Sequence, residues 1–85
     1  MKLREHRGNW AESMKTQAEI PNTLEALCGY ISAKLAPYSV TVRPEDITVR
    51  KYPMGLQDSS WKGIYIVSVQ GYGVFGFISE PLEAG

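Results

Sequence analysis

The sequence predicts an α+β fold in which one helix packs on a mainly antiparallel sheet, and three observations support it. Residues 23–35 carry apolar side chains spaced by three and four. The segments 63–69 and 74–79 are rich in β-branched and aromatic residues, as strands are. A tight turn joins these two segments. With 85 residues, the chain is predicted to be a single domain, residues 1–85, in the order β-α-β-β-β.

Two segments precede the predicted helix. Residues 1–12 are charged and polar, and they are predicted to form a mobile N-terminal segment. The sequence SMKTQAEI, residues 13–20, alternates between apolar and polar side chains, which favours a half-buried strand. Trp10, Met14 and Ala18 are spaced by four, so a helix remains the competing interpretation.

The predicted helix has recognisable ends. Asn22 is placed to cap its first free N–H groups, and Glu25 follows three residues later, as in a capping box. An apolar stripe then runs along one face. Pro37 disfavours helical geometry in the residue before it, so the helix is predicted to end near residue 35.

The rest of the chain is predicted to be strands and turns. SVTV (39–42) and ITVRKYPM (47–54) have extended patterns, and GLQDSS (55–60) has the composition of a loop. GIYIVSV (63–69) is the strongest strand, and VFGFIS (74–79) is the last one. Either the 13–20 segment or the last strand is a candidate sheet edge, where a second copy of the chain would pair.

Composition excludes several classes of function. Nine basic residues balance nine acidic ones, which argues against a strongly basic nucleic-acid binder and favours self-association. A single cysteine, Cys28, and a single histidine, His6, leave too few ligands for a conventional metal site. No apolar run suggests a signal peptide or a membrane span. We therefore expect a soluble cytoplasmic protein without a cofactor.

The stretch Gly71–Gly76 has the Gly-x-Gly-x-x-Gly spacing of a dinucleotide-binding loop. Such a loop must open a helix, whose N-terminus holds the phosphate. Only nine residues follow Gly76, and Pro81 interrupts them. We therefore predict a β-hairpin instead, with Gly71 and Gly73 in the turn and Gly76 marking a bulge or a close neighbour, such as a ring of an adjacent strand.

No catalytic constellation is evident from spacing. His6 lies among charged residues, and a general-base role for it is a weaker hypothesis than a solvated position. Cys28 falls on the apolar stripe of the helix, where a thiol acts as a small hydrophobe. Glu45 and Asp46 are adjacent and are predicted to lie in a turn after Pro44 rather than to form an acid/base pair.

Aromatic and basic side chains are interleaved in the second half of the chain. Such residues on a sheet stack bases and contact phosphates, yet an antiparallel sheet also needs aromatics for its core. Trp61, beside a polar loop, is the one that we most expect at a partner surface if it is not in the core. The candidate binding residues are Trp61, Tyr65, Arg50, Lys51 and Lys62, with Arg4 and Arg7 as a flexible basic arm.

Two stretches carry a resemblance to a group of known proteins. KLREHRGNWAESM near the N-terminus and YIVSVQGYGVFGF near the C-terminus resemble the corresponding parts of small uncharacterised phage- and prophage-encoded proteins. The resemblance implies a small phage-type protein, and it carries no functional residue over to this chain.

These observations favour a non-enzymatic module that binds another macromolecule. We expect a protein partner, either a host or phage factor or a second copy of the chain. The alternative is a module for single-stranded nucleic acid, built from the aromatic and basic residues of the sheet. An enzyme that acts through His6 is the weakest of the three hypotheses.

Overall fold

A five-stranded antiparallel sheet with a helix packed on it makes up the fold. The structure is a computed structural model that describes residues 1–8, 12, 13, 15–52, 61 and 63–83. The elements are β1 (Lys2–Glu5), β2 (Ala18–Glu19), α1 (Leu24–Leu35), β3 (Ile47–Lys51), β4 (Tyr65–Val69) and β5 (Gly73–Ile78), with 3₁₀ turns at Ala36–Tyr38 and Pro44–Asp46. The strands lie in the order β2-β1-β5-β4-β3. The predicted α+β class, a helix on an antiparallel sheet, is confirmed.

The N-terminal segment contains a strand that sequence patterning did not predict. Residues 2–5 form β1, which pairs with β2 on one side and with β5 on the other. The expectation of a mobile segment, with Arg4 in a flexible arm, is therefore wrong for β1. Leu3 is fully buried and packs in the core under the helix.

The predicted strand at 13–20 is correct only at its end. Ala18 and Glu19 pair with β1, whereas Glu12 and Ser13 are helical. Before β2, side-chain hydroxyl groups take the place of backbone hydrogen bonds between strands. Thr16 Oγ1 accepts the Glu5 N–H at 2.8 Å, and Ser13 Oγ accepts the Arg7 N–H at 3.1 Å. Hydroxyl groups of this kind compete with backbone pairing. Trp10 and Met14, on which the helical alternative depended, lie outside the described residues.

Helix α1 confirms the predicted span but not the predicted cap. Thr23 is the N-cap, and its Oγ1 accepts the Ala26 N–H at 3.1 Å. The apolar stripe packs on the sheet as predicted, and the core contains Leu3, Leu27, Ile31, Leu35, Val42, Val67, Val69, Phe75 and Ile78.

The segment 39–42 is not a strand. The helix holds it instead, because the Val42 carbonyl accepts the Ser32 hydroxyl at 3.5 Å and lies 3.8 Å from the Cys28 sulfur. Pro44–Asp46 forms the predicted turn, in which the Asp46 carboxylate accepts the Arg43 N–H at 3.1 Å. Strand β3 begins directly after this turn.

The glycine-rich stretch is a β-hairpin, as predicted. Gly71 and Gly73 have φ angles of 81° and 112°, which side chains rarely tolerate. Strand β5 follows the turn in place of the helix that a phosphate loop needs. Gly76 lies at a close approach beside a β-bulge, and the neighbour is the backbone of Arg4 rather than an aromatic ring.

Candidate functional site

Among the described residues, strand β3 is an edge of the sheet, with β4 as its only neighbour in the strand order. The Tyr52 N–H donates to the Ile64 carbonyl, and the Gln70 N–H donates to the Asp46 carbonyl, both at 2.9 Å. Because alternate residues of an antiparallel strand turn their backbone groups to opposite sides, Thr48 and Arg50 bond toward β4. The residues between them, including Val49, direct their N–H and C=O groups away from the sheet.

The outward backbone groups of β3 have few partners within the described residues. The Ile47 N–H donates to the Pro44 carbonyl at the end of the 3₁₀ turn. For Val49 and Lys51, no bond of the outward N–H or C=O groups is found in the part of the chain that the structure describes. A row of free backbone donors and acceptors is what an added strand requires.

The charges along β3 are divided between its ends. Glu45 and Asp46 lie in the turn that begins the strand, and Arg50 and Lys51 end it. Arg50, Lys51 and Glu45 are exposed. The central Val49 is half-buried and packs against the core with its side chain. Arg43 Nε lies 3.5 Å from the Asp46 carboxylate, so Glu45 is the acidic side chain without an ion pair among the described residues of this turn. The edge therefore has Glu45 at its start, an apolar centre and a basic end.

The opposite edge of the sheet, strand β2, offers much less backbone for an added strand. Strand β2 has two residues. Directly after it, the Ile20 carbonyl accepts from the Met1 N-terminus at 2.6 Å, and the Ile20 N–H donates to the Met1 carbonyl at 3.0 Å. The last strand, β5, was the other candidate edge, but it lies between β1 and β4 in the interior of the sheet. The five-residue β3 is the longer of the two edges in the described structure.

Trp61 is not exposed at a partner surface. Its side chain is buried, with 7% of the residue accessible, and the guanidinium carbon of Arg4 lies 4.7 Å from its ring centroid. Arg4 is itself 3% exposed, and its Nε donates to the Gln17 side chain at 2.8 Å. Trp61 and Arg4 therefore pack against each other on the face of the sheet opposite α1, where both are buried and the guanidinium stacks on the ring.

The remaining candidate residues do not share one surface. Tyr65 is half-buried and pairs across the sheet with Lys51, on the face that carries the helix. Arg50 pairs with Ile66, on the opposite face, which also carries Arg4. Lys62 lies outside the described residues. Arg50 and Lys51 are consecutive in the edge strand β3, with their side chains on opposite faces of the sheet. The structure does not combine Trp61 with Tyr65.

Arg7 belongs to a separate cluster around a buried carboxylate. Its Nη2 donates to Glu5 Oε1 at 3.1 Å, and the Tyr30 hydroxyl donates to Glu5 Oε2 at 3.4 Å. Lys34 Nζ lies 3.9 Å from Glu5 Oε2. Burial, and then the adjacent Glu5 carboxylate, raise the pKa of Tyr30 above its ordinary value of 10.0. Sequence patterning missed this cluster because its members are far apart in the chain.

A pocket of about 530 Å³ opens beside this cluster. Phe75 and Leu35 are buried in its wall, and Tyr38 and Tyr72 are exposed. The Glu5 carboxylate is ion-paired with Arg7 and accepts the Tyr30 hydroxyl of the helix. The cluster therefore joins β1 to the helix. These contacts explain why a charged residue is tolerated below the helix.

The His6 ring lies on the other face of the sheet from the Glu5 carboxylate. It makes an edge-on contact with Phe77, with ring centroids 5.8 Å apart. Phe77 pairs with Ile66 on the face opposite the helix, whereas the Glu5 carboxylate contacts Tyr30 of the helix, so the His6 and Glu5 side chains are not directed toward each other. Cys28 is half-buried and packs against the core, as predicted for the helix stripe.

Two further features are absent from the described residues. No group of three or more His, Cys, Asp or Glu side chains there is arranged to hold a metal ion. None of the helices in the same part of the chain combines the length and the apolar character that a membrane crossing demands.

Comparison of the chain with known protein families, curated proteins and solved structures finds no match in any of the three.

Proposed function

We propose that this protein is a non-enzymatic protein-binding module that takes up a polypeptide segment as an added strand at β3. The observation that carries the proposal is the pair of outward-facing residues, Val49 and Lys51, whose backbone groups lack partners within the described residues. Such groups can pair with another backbone, which supports a polypeptide as the partner in preference to a nucleic acid. Arg50 and Lys51, the last two residues of β3, are then placed to contact one end of the added strand.

The alternative hypothesis, a site for single-stranded nucleic acid, has less support. It requires exposed aromatic rings beside basic residues on one face. Trp61 is buried against Arg4, and Tyr65 is directed toward the helix face. The resemblance to small phage- and prophage-encoded proteins accords with a host or phage factor as the partner, and we propose that the two meet in the cytoplasm.

The test compares two substitutions at the same position. Val49→Pro removes the outward N–H, and it leaves the ladder to β4 intact because that ladder uses Thr48 and Arg50. Val49→Ala removes a comparable part of the side-chain packing and keeps the N–H. Wild-type protein and both variants are immobilised and exposed to host lysate, with and without nuclease, and the captured proteins are identified by mass spectrometry.

We expect capture of a protein that survives nuclease treatment, that V49A retains and that V49P loses. Circular dichroism of both variants confirms that they are folded. Capture that V49P retains in full would contradict strand addition at this edge. Capture that nuclease abolishes would support the nucleic-acid hypothesis instead.

A further inference from the structure

We propose that β3 also pairs with β3 of a second copy of this chain, antiparallel about Val49, so that the two sheets become continuous. The inference rests on the proposed function, since it uses the same open edge, and it names the partner. An antiparallel pairing of identical strands is isologous, and it closes after two copies.

The backbone groups and the charges of β3 together select one register. With Val49 opposite Val49, each Val49 N–H donates to the other copy's Val49 carbonyl, and each Lys51 N–H donates to the other copy's Ile47 carbonyl. The reciprocal bond from the Ile47 N–H to the Lys51 carbonyl is not formed, because that N–H already donates to Pro44. A register with Lys51 opposite Val49 would use only free backbone groups, but it would place Arg50 directly opposite Arg50.

The charges of the strand suit the same register. Arg50 faces the other copy's Thr48, and Lys51 faces its Ile47, so like charges are not directly opposite. Glu45, in the acidic turn of one copy, lies diagonally beside Lys51 at the basic end of the other, within reach of long side chains, whereas Asp46 is paired with Arg43 of its own chain.

This charge order is the reason to choose a second copy over an unrelated peptide. Antiparallel pairing needs a partner strand with a basic residue near this acidic turn and an acidic residue near this basic end. The chain's own β3, reversed, supplies both. The formal net charge of zero means that no overall repulsion opposes the association of two copies.

The first measurement is the mass in solution as a function of concentration, by sedimentation equilibrium. The wild-type chain of 9.5 kDa is expected to approach twice that mass as concentration rises. V49P removes two symmetry-related hydrogen bonds and is expected to weaken association by about 30-fold or more. V49A keeps these bonds and is expected to associate much more like wild type.

The second measurement tests the charge contacts. Lys51→Glu and Glu45→Lys each place like charges near each other across the two-fold axis, and each is expected to weaken association by about fivefold at low salt. Within one chain the two residues stand at opposite ends of the strand. The double variant E45K/K51E restores opposite charges between copies and is expected to return association to within about twofold of wild type.

A monomeric mass at all concentrations would overturn the proposal, as would a dimer that V49P leaves unchanged. Failure of E45K/K51E to recover association would overturn the register. The two proposals fail separately. A monomeric wild-type chain that still captures a protein in a V49P-sensitive, nuclease-resistant manner contradicts the dimer and supports strand addition.

Discussion

Substitution of Gly76 by Ala tests the most confined contact in the sheet. Gly76 lies in β5, opposite Glu5 of β1. A Cβ atom at this position would collide with the Arg4 carbonyl oxygen and would lie 3.0 Å from the Glu5 Cα. Both neighbours are backbone atoms, so a change of rotamer cannot relieve the overlap. The strands themselves must separate.

The size of the effect follows from what that separation breaks. Forcing a methyl group into a packed site costs about 1–3 kcal/mol. Moving β1 away also weakens the ladder next to Gly76, including the bond from the His6 N–H to the Phe75 carbonyl at 2.9 Å. Each such bond contributes about 1 kcal/mol net. We expect G76A to lower the free energy of unfolding by about 3 kcal/mol.

Gly29 provides the matched control for this substitution. It is exposed in the middle of α1, and a Cβ there would meet no atom within 4 Å. Gly29→Ala is expected to stabilise the protein by about 0.5–1 kcal/mol, because alanine favours the helix. Urea unfolding followed by far-ultraviolet circular dichroism measures both variants. A G76A variant within about 0.5 kcal/mol of wild type would refute the close packing of β1 on β5.

Two further predictions concern the helix. Thr23→Ala removes the cap of α1 and should cost about 1 kcal/mol of unfolding free energy, whereas Asn22→Ala should cost little; equal losses in urea titrations would contradict the assignment of Thr23 as the cap. Because the pKa of Tyr30 is raised in the folded protein, the Tyr30 hydroxyl loses its proton at a lower pH in the unfolded chain. The contribution of neutral Tyr30 to stability is therefore complete below pH 10.0 and is lost as pH rises through the folded pKa. Tyr30→Phe should therefore make the alkaline loss of stability shallower, which urea midpoints at about pH 8 and about pH 11 will measure; an unchanged slope would contradict the shift.

Elements that are determined by residues close together in the sequence were predicted well. The helix follows from an apolar stripe and a nearby proline, and the hairpin follows from glycines at turn positions with positive φ. Even there the cap was misplaced by one residue, since Asn22 and Thr23 are both good caps and the choice between them depends on where the chain enters the helix. Asn22 instead accepts the Glu83 N–H with its backbone carbonyl at 2.7 Å.

Elements with distant causes were not predicted. The KLRE sequence of β1 has one apolar residue, Leu3, and its remaining burial depends on partners far along the chain. Arg4 is stabilised by Trp61 and Gln17, and Glu5 by Tyr30 and Arg7. A charged side chain predicts exposure unless these partners are known. The same limitation made Trp61 a surface candidate.

The location of the open edge is likewise a property of topology rather than of any segment. The β3–β4–β5 meander would leave two edges, β3 and β5. Strand β5, with the sequence GVFGFI, has no charged residue, and an apolar edge of that kind promotes aggregation. Insertion of β1 covers it. The longer of the two edges left in the described structure, β3, carries Arg50 and Lys51 next to an apolar Val49. Charges at an edge disfavour pairings that bring like charges together, and they permit those that do not. The fold therefore covers the apolar β5 edge, which would pair with any strand, and exposes the β3 edge, whose charges select the register of an added strand.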